Sequence, residues 1–88
     1  MSWTYRLSKE AAKQLRRLPR DRQEQLGHAI DQMSENPLRG DVSRISSGTY
    51  RGALRRRVGR YRIIFSLDLQ DRLIEIAAIL HRSESTYR

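Results

Sequence analysis

The chain has 88 residues and carries 18 Lys and Arg against 10 Asp and Glu, a formal net charge of +8. That length suits one small domain, residues 1–88, burying about 60–65% of the surface its unfolded chain exposes. With no cysteine and two isolated histidines, His28 and His81, it offers no disulfide framework, thiolate metal site or zinc site, and no cofactor is expected. No apolar run approaches the ~18 residues of a membrane span, and the N-terminus lacks a basic-then-apolar secretory pattern, so a soluble cytoplasmic protein is expected.

Residues 3–7, WTYRL, alternate and read as a strand. Ser8 then caps a helix, with Glu10 in its first turn and Ala11, Leu15 and Leu18 along one stripe. Pro19 ends this helix and opens the next. The second helix carries Leu26, Ala29, Ile30 and Met33 on one face and ends at Glu35-Asn36-Pro37. Two such stripes cannot bury each other and leave a core, so they need a sheet. Residues 38–49 read as a loop. Three strand-like runs follow, 50–58, 61–67 and 72–80, joined by short turns that predict antiparallel hairpins. The fold expected is α+β, in the order β-α-α-β-β-β, with both N-terminal helices on one face of a small antiparallel sheet.

Sixteen of the basic residues are arginine, only Lys9 and Lys13 being lysine. Between Asp41 and Asp68 there is no acid but seven arginines: Arg44, Arg51, Arg55, Arg56, Arg57, Arg60 and Arg62. Arginine presents a planar fork of donors matched to phosphate, so the asymmetry is a candidate nucleic-acid footprint. Strand alternation puts Tyr61, Ile63 and Phe65 on one face with Leu54 and Val58, toward the helices. Arg55, Arg57 and Arg62 then emerge together on the uncovered face. Arg56 falls between Leu54 and Val58 and fits the core side poorly.

The run LRRRVGRYRIIF, followed by an apolar strand and ILHRSESTYR, resembles the RelE/ParE toxin superfamily of bacterial type II toxin–antitoxin systems, RelE-like branch. The likeness extends over the whole chain. It implies a helix-on-sheet α+β fold and an endoribonuclease that cleaves mRNA, in many members in the ribosomal A site. There the 2′-hydroxyl attacks the adjacent phosphate without a metal, leaving a 2′,3′-cyclic phosphate and a 5′-hydroxyl. It also implies a cognate antitoxin, through which the complex binds operator DNA. Carried over by residue, Arg55 and Arg57 match the basic pair on the strand before the turn, Arg62 the basic residue of YR, Arg82 the arginine ending the last strand, and Tyr87 the tail tyrosine. The tyrosine stands five residues after the arginine, where relatives commonly have four or six. The strand pair also has no lysine.

Such a reaction must deprotonate the 2′-oxygen, stabilise a phosphorane and protonate the 5′-oxygen. Arginine suits the second task and is a poor base, with a pKa above ~12. Arg62, Arg82 and Tyr87 are therefore the candidate catalytic residues, and Arg55, Arg57 and Arg51 the candidate phosphate binders. His81 titrates in the right range, but its strand parity, shared with Leu73, Glu75, Ala77 and Ile79, points it away from Arg82. Tyr87 either stacks on a base or packs on the sheet; Trp3 and Tyr5 read as packing. Arg16, Arg17, Arg20 and Arg22 gather at the helix–helix turn as a solvated or RNA-gripping surface, and Glu75 should pair with a neighbouring arginine. Two other functions fit a basic face: a ParE-like inhibitor of DNA gyrase that acts by binding, and a nucleic-acid-binding module without catalysis.

Overall fold

The computed structural model describes residues 2–81. The elements run β1 (Thr4–Leu7), α1 (Lys9–Arg16), α2 (Arg20–Glu35), β2 (Val42–Arg44), β3 (Leu54–Val58), β4 (Tyr61–Asp68) and β5 (Leu73–His81). They form one five-stranded sheet in the order β1-β5-β4-β3-β2. All pairs are antiparallel except β1 with β5, which run parallel from Thr4 opposite Leu73 to Leu7 opposite Ile76. The α+β architecture is the one expected, with an additional short edge strand, β2, inside the segment read as a loop.

Local chemistry sets the ends of the elements. Ser8 Oγ accepts the Ala11 N–H at 3.0 Å, as an N-cap should, and its hydroxyl donates to the Ala77 carbonyl at 2.7 Å. Gln14 Oε1 accepts the Ile79 N–H at 2.6 Å. Helix α1 thus satisfies the edge of β5 where β1 stops, which removes a sticky edge. Gln23 donates to the Leu18 carbonyl at 2.9 Å, closing the C-terminus of α1. The β3–β4 hairpin has two loop residues, and Gly59 takes φ 58° at the first of them, a conformation glycine adopts at no steric cost.

The main core lies between the helices and one sheet face. Leu26, Ala29, Ile30 and Met33 of α2 and Ala11 of α1 meet Ile63, Phe65, Ile74, Ile76 and Ile79. Leu15, Leu18, Leu54, Val58 and Tyr61 pack partly buried around them. Trp3 packs here too, but Tyr5 is 47% exposed, contrary to its reading as a packing residue.

The opposite face is not bare, which corrects the sequence reading. Ile64, Ala78, Leu80 and Ile45 are buried there as a second cluster, with Tyr50, Ala53 and Ala77 packed against it. The segment between β2 and β3 therefore roofs part of the sheet. Its last residues, 50–53, do not extend β3, which begins at Leu54 rather than at residue 50. The physical reason is visible in β4 and β5, whose Ile63-Ile64-Phe65 and Ala77-Ala78-Ile79-Leu80 runs put apolar side chains on both faces.

Pairing between β4 and β5 shifts by one residue: Ile64 faces Ala78, but Phe65 faces Ile76. The bulge at Ala77 reverses the parity of β5. Ile74 and Ile76 join the main core, and Glu75 lies opposite Ser66 on the other face.

Candidate phosphate-binding face

Arg55 is opposite Ile64, and Arg57 opposite Arg62, on the face away from the helices. The three side chains share this face, as alternation requires. Their exposure differs from the expectation of a common open display. Arg57 is exposed and Arg55 half-buried, but Arg62 is only 7% exposed, and it is the one buried charged residue among those described. It neighbours the roofed cluster, since Leu80 is its cross-strand partner on β5.

The electrostatics of the face are unbalanced. Arg57 and Arg62 are like charges directly across a strand pair, an arrangement that destabilises a sheet. Among the described residues, the buried Nε atoms of both Arg55 and Arg62 on this face have no hydrogen-bond partner. Among the described residues Arg62 reaches only the neighbouring Tyr61 carbonyl, through Nη1 at 3.4 Å. A desolvated guanidinium with unused donors is costly on its own, and a phosphate would satisfy both the charge and the donors.

Edge strand β2 and Asp41 just before it touch the two other arginines. Arg55 Nη2 donates to Ser43 Oγ at 2.6 Å. Arg57 Nε lies 3.6 Å from Asp41 Oδ2, and the Arg57 N–H donates to the Asp41 carbonyl at 3.0 Å. Sequence reasoning missed both partners, because β2 was read as loop. Arg51 lies exposed in the roofing segment.

Arg56 points to the helix side and explains its poor fit to a purely apolar face. Its guanidinium passes the core and donates to Gln32 Oε1 at 2.9 Å and to the Arg39 carbonyl at 3.0 Å. It ties β3 to α2 and does not belong to the arginine face.

His81 is opposite Tyr61, with its ring edge-on at 5.2 Å. That is the helix side of the sheet, whereas Arg62 occupies the other, so the structure does not bring His81 to the described arginines. The reason given from the sequence changes in part. His81 shares a face with Ile79, but the bulge moves Glu75 to the opposite one. Glu75 pairs with Arg6, as expected of the acid inside a strand. Arg82 and Tyr87 lie outside the described residues. Arg16, Arg17, Arg20 and Arg22 are exposed around the α1–α2 turn.

Among the described residues no group of three or more His, Cys, Asp or Glu side chains is placed to hold a metal ion. A groove of about 830 Å³ runs between α2 and β3, on the helix side. Asp21, Glu24 and Asp31 stand along its helix wall, a poor surface for a polyanion. No described helix is long and apolar enough to cross a membrane.

The family model of the ParE toxin of type II toxin-antitoxin system, parDE, matches residues 5–86. Among curated proteins, none matches significantly. Among solved structures, the chain is similar to the archaeal RelE–RelB complex from Pyrococcus horikoshii, with a TM-score of 0.80 and 24% identity over 97% of this chain and 100% of that one. It is equally similar to the RelBE2 toxin–antitoxin complex from Mycobacterium tuberculosis, with a TM-score of 0.80 and 24% identity over 93% and 100% of the two chains. The intact Escherichia coli RelBE complex matches with a TM-score of 0.66 and 17% identity over 96% and 100%. At these identities the likeness is one of fold.

Proposed function

From the premise that this chain belongs to the ParE toxin family of type II toxin–antitoxin systems, within the RelE/ParE superfamily, we propose that it is an endoribonuclease that cleaves mRNA in the cytoplasm. On this reading residues 1–88 are one RelE-like toxin domain, held inactive by a cognate antitoxin. The observation that carries the activity is Arg62: buried, charged, with an unpartnered Nε, and opposite Arg57 on a rigid sheet. Stability alone does not favour such a group. A scissile phosphate gives it a role.

The 2′-hydroxyl of one nucleotide attacks the adjacent phosphorus, and negative charge grows on the non-bridging oxygens. Guanidiniums fixed on β3 and β4 stabilise that charge without reorganising, which is the main contribution such a site makes. Arg62 faces the phosphorane, Arg55 and Arg57 hold flanking phosphates, and Arg51 reaches the strand from the roofing segment. Arg82 and Tyr87 complete the site by resemblance, the tyrosine as a stacking platform. The bond to the 5′-oxygen breaks; the proton given up by the 2′-hydroxyl to water is returned by water to the 5′-oxygen, leaving a cyclic phosphate and a 5′-hydroxyl. His81, on the helix side, takes no proton-transfer part in this scheme.

Primer extension on mRNA during translation tests the reading. Discrete new 5′ ends that vanish with Arg62→Ala support it; intact message in cells whose growth has stopped refutes it. A second reading has its own observation: the matching family model is that of ParE. A ParE-like gyrase inhibitor would stop DNA synthesis first and leave radiolabelled amino acid incorporation running.

A further inference from the structure

We infer that β2 and the residue before it form a positioning edge: Ser43 and Asp41 hold Arg55 and Arg57 by one nitrogen each and leave the rest of each fork aimed at phosphate. The inference rests on the reading of the arginine face as the phosphate site. A short edge strand contributes little to the core; Val42 alone packs against the main cluster. Ser43 of β2 and Asp41 just before it reach Arg55 and Arg57, while Arg44 donates to the Gly52 carbonyl. Ser43 is the register partner of Arg55, so backbone pairing delivers its hydroxyl to Nη2 at 2.6 Å. Asp41 takes the Arg57 N–H on its carbonyl and faces Nε with its carboxylate at 3.6 Å.

Stability does not explain these contacts. The Arg57–Asp41 side chains are about half exposed, 49% and 55%, and exposed pairs contribute little to folding. Orientation does explain them. An arginine side chain has many rotamers, and three neighbouring guanidiniums repel one another. Anchoring one nitrogen of each fixes the plane of the fork before substrate arrives, so less entropy is lost in the transition state. Asp41 also sets a carboxylate beside Arg57, opposite the buried Arg62, and lowers the repulsion across that pair.

The test uses the full chain with Ser43→Ala, Ser43→Thr, Asp41→Asn and Arg55→Ala. Each is measured for binding to a labelled single-stranded RNA oligonucleotide and for single-turnover cleavage of translated mRNA, with thermal melts alongside. Ser43→Ala should lower the cleavage rate by about 10- to 100-fold, the scale for a misplaced group. Its RNA affinity and melting temperature should change little. Ser43→Thr keeps the hydroxyl and should restore the rate, which a loss of edge-strand packing would not produce. Asp41→Asn should act in the same direction. If Arg55→Ala lowers binding or cleavage and Ser43→Ala does neither, the positioning role is refuted and the phosphate site stands. If Arg55→Ala also changes nothing, the site is elsewhere and both ideas fall.

Discussion

Replacing Arg62 by methionine should make the protein more stable and slow cleavage sharply. Methionine reproduces the side chain as far as the Nε position, so the stem beside Leu80 and Ile64 stays filled while the rest of the guanidinium is removed. What is lost is a long bond to the Tyr61 carbonyl, at 3.4 Å, which is weak. What is relieved is larger. A buried, unsatisfied donor costs about 1–3 kcal/mol, and a like charge directly across a strand pair adds up to about 1 kcal/mol. The unfolding free energy should therefore rise by roughly 1–3 kcal/mol. In a chain of this size each kcal/mol moves the melting temperature by about 4–8 °C. Cleavage should fall by about 10²–10³-fold, the scale for one preorganised donor. Urea titration followed by circular dichroism reads the first quantity, and single-turnover cleavage at saturating protein reads the second. A variant that is less stable than the parent, or one that still cuts at the parental rate, refutes the reasoning. The first outcome makes Arg62 a structural residue; the second puts the chemistry elsewhere.

Three further outcomes follow from the packing and the charge. Ile64→Ala should cost about 2–5 kcal/mol, as for a buried aliphatic truncation, because the face it occupies is roofed; a cost below about 0.5 kcal/mol in urea titration, the usual surface effect, would mean that the roof does not form. Gly27→Ala should stabilise α2 by about 0.4–1 kcal/mol, since a Cβ there meets nothing within 4 Å; a lower melting temperature contradicts this. RNA binding should show a log–log salt slope of about 0.7 per phosphate neutralised on a single strand, and Arg55→Ala should reduce it by about that amount; an unchanged slope removes Arg55 from the interface.

Much of the fold was legible in the sequence because its strongest signals are periodic. The α2 stripe of Leu26, Ile30 and Met33 and the alternation of Tyr61, Ile63 and Phe65 place the main core correctly. Three features were not legible, each for a physical reason. Strand β2 has three residues, and its Val-Ser-Arg sequence has no pattern of its own; it exists because β3 offers Leu54–Arg56 as partners. The bulge at Ala77 sits in a run of small and apolar residues with no alternation to break, yet it reverses parity, so counting from Glu75 to His81 misassigns a face. The roof over Ile64 depends on Ile45, one apolar residue in a polar stretch. Consequently the shared face of Arg55, Arg57 and Arg62 was readable, while the burial of Arg62 and the support from Ser43 and Asp41 were not.

The parallel pairing of β1 with β5 also has a consequence for timing. Thr4–Leu7 can join the sheet only after Leu73–Ile76 exists, and Ser8 and Gln14 of α1 need Ala77 and Ile79 to complete their hydrogen bonds. The first strand made is thus among the last to be placed. Contacts of such sequence separation slow folding, because the loop they close must be ordered before the pairing rewards it. During synthesis the helices and the local β3–β4 hairpin can form, but β1 has no partner until β5 has left the ribosome. A nascent chain therefore carries the positive charge on an incomplete sheet, and the parallel edge is added in a late step.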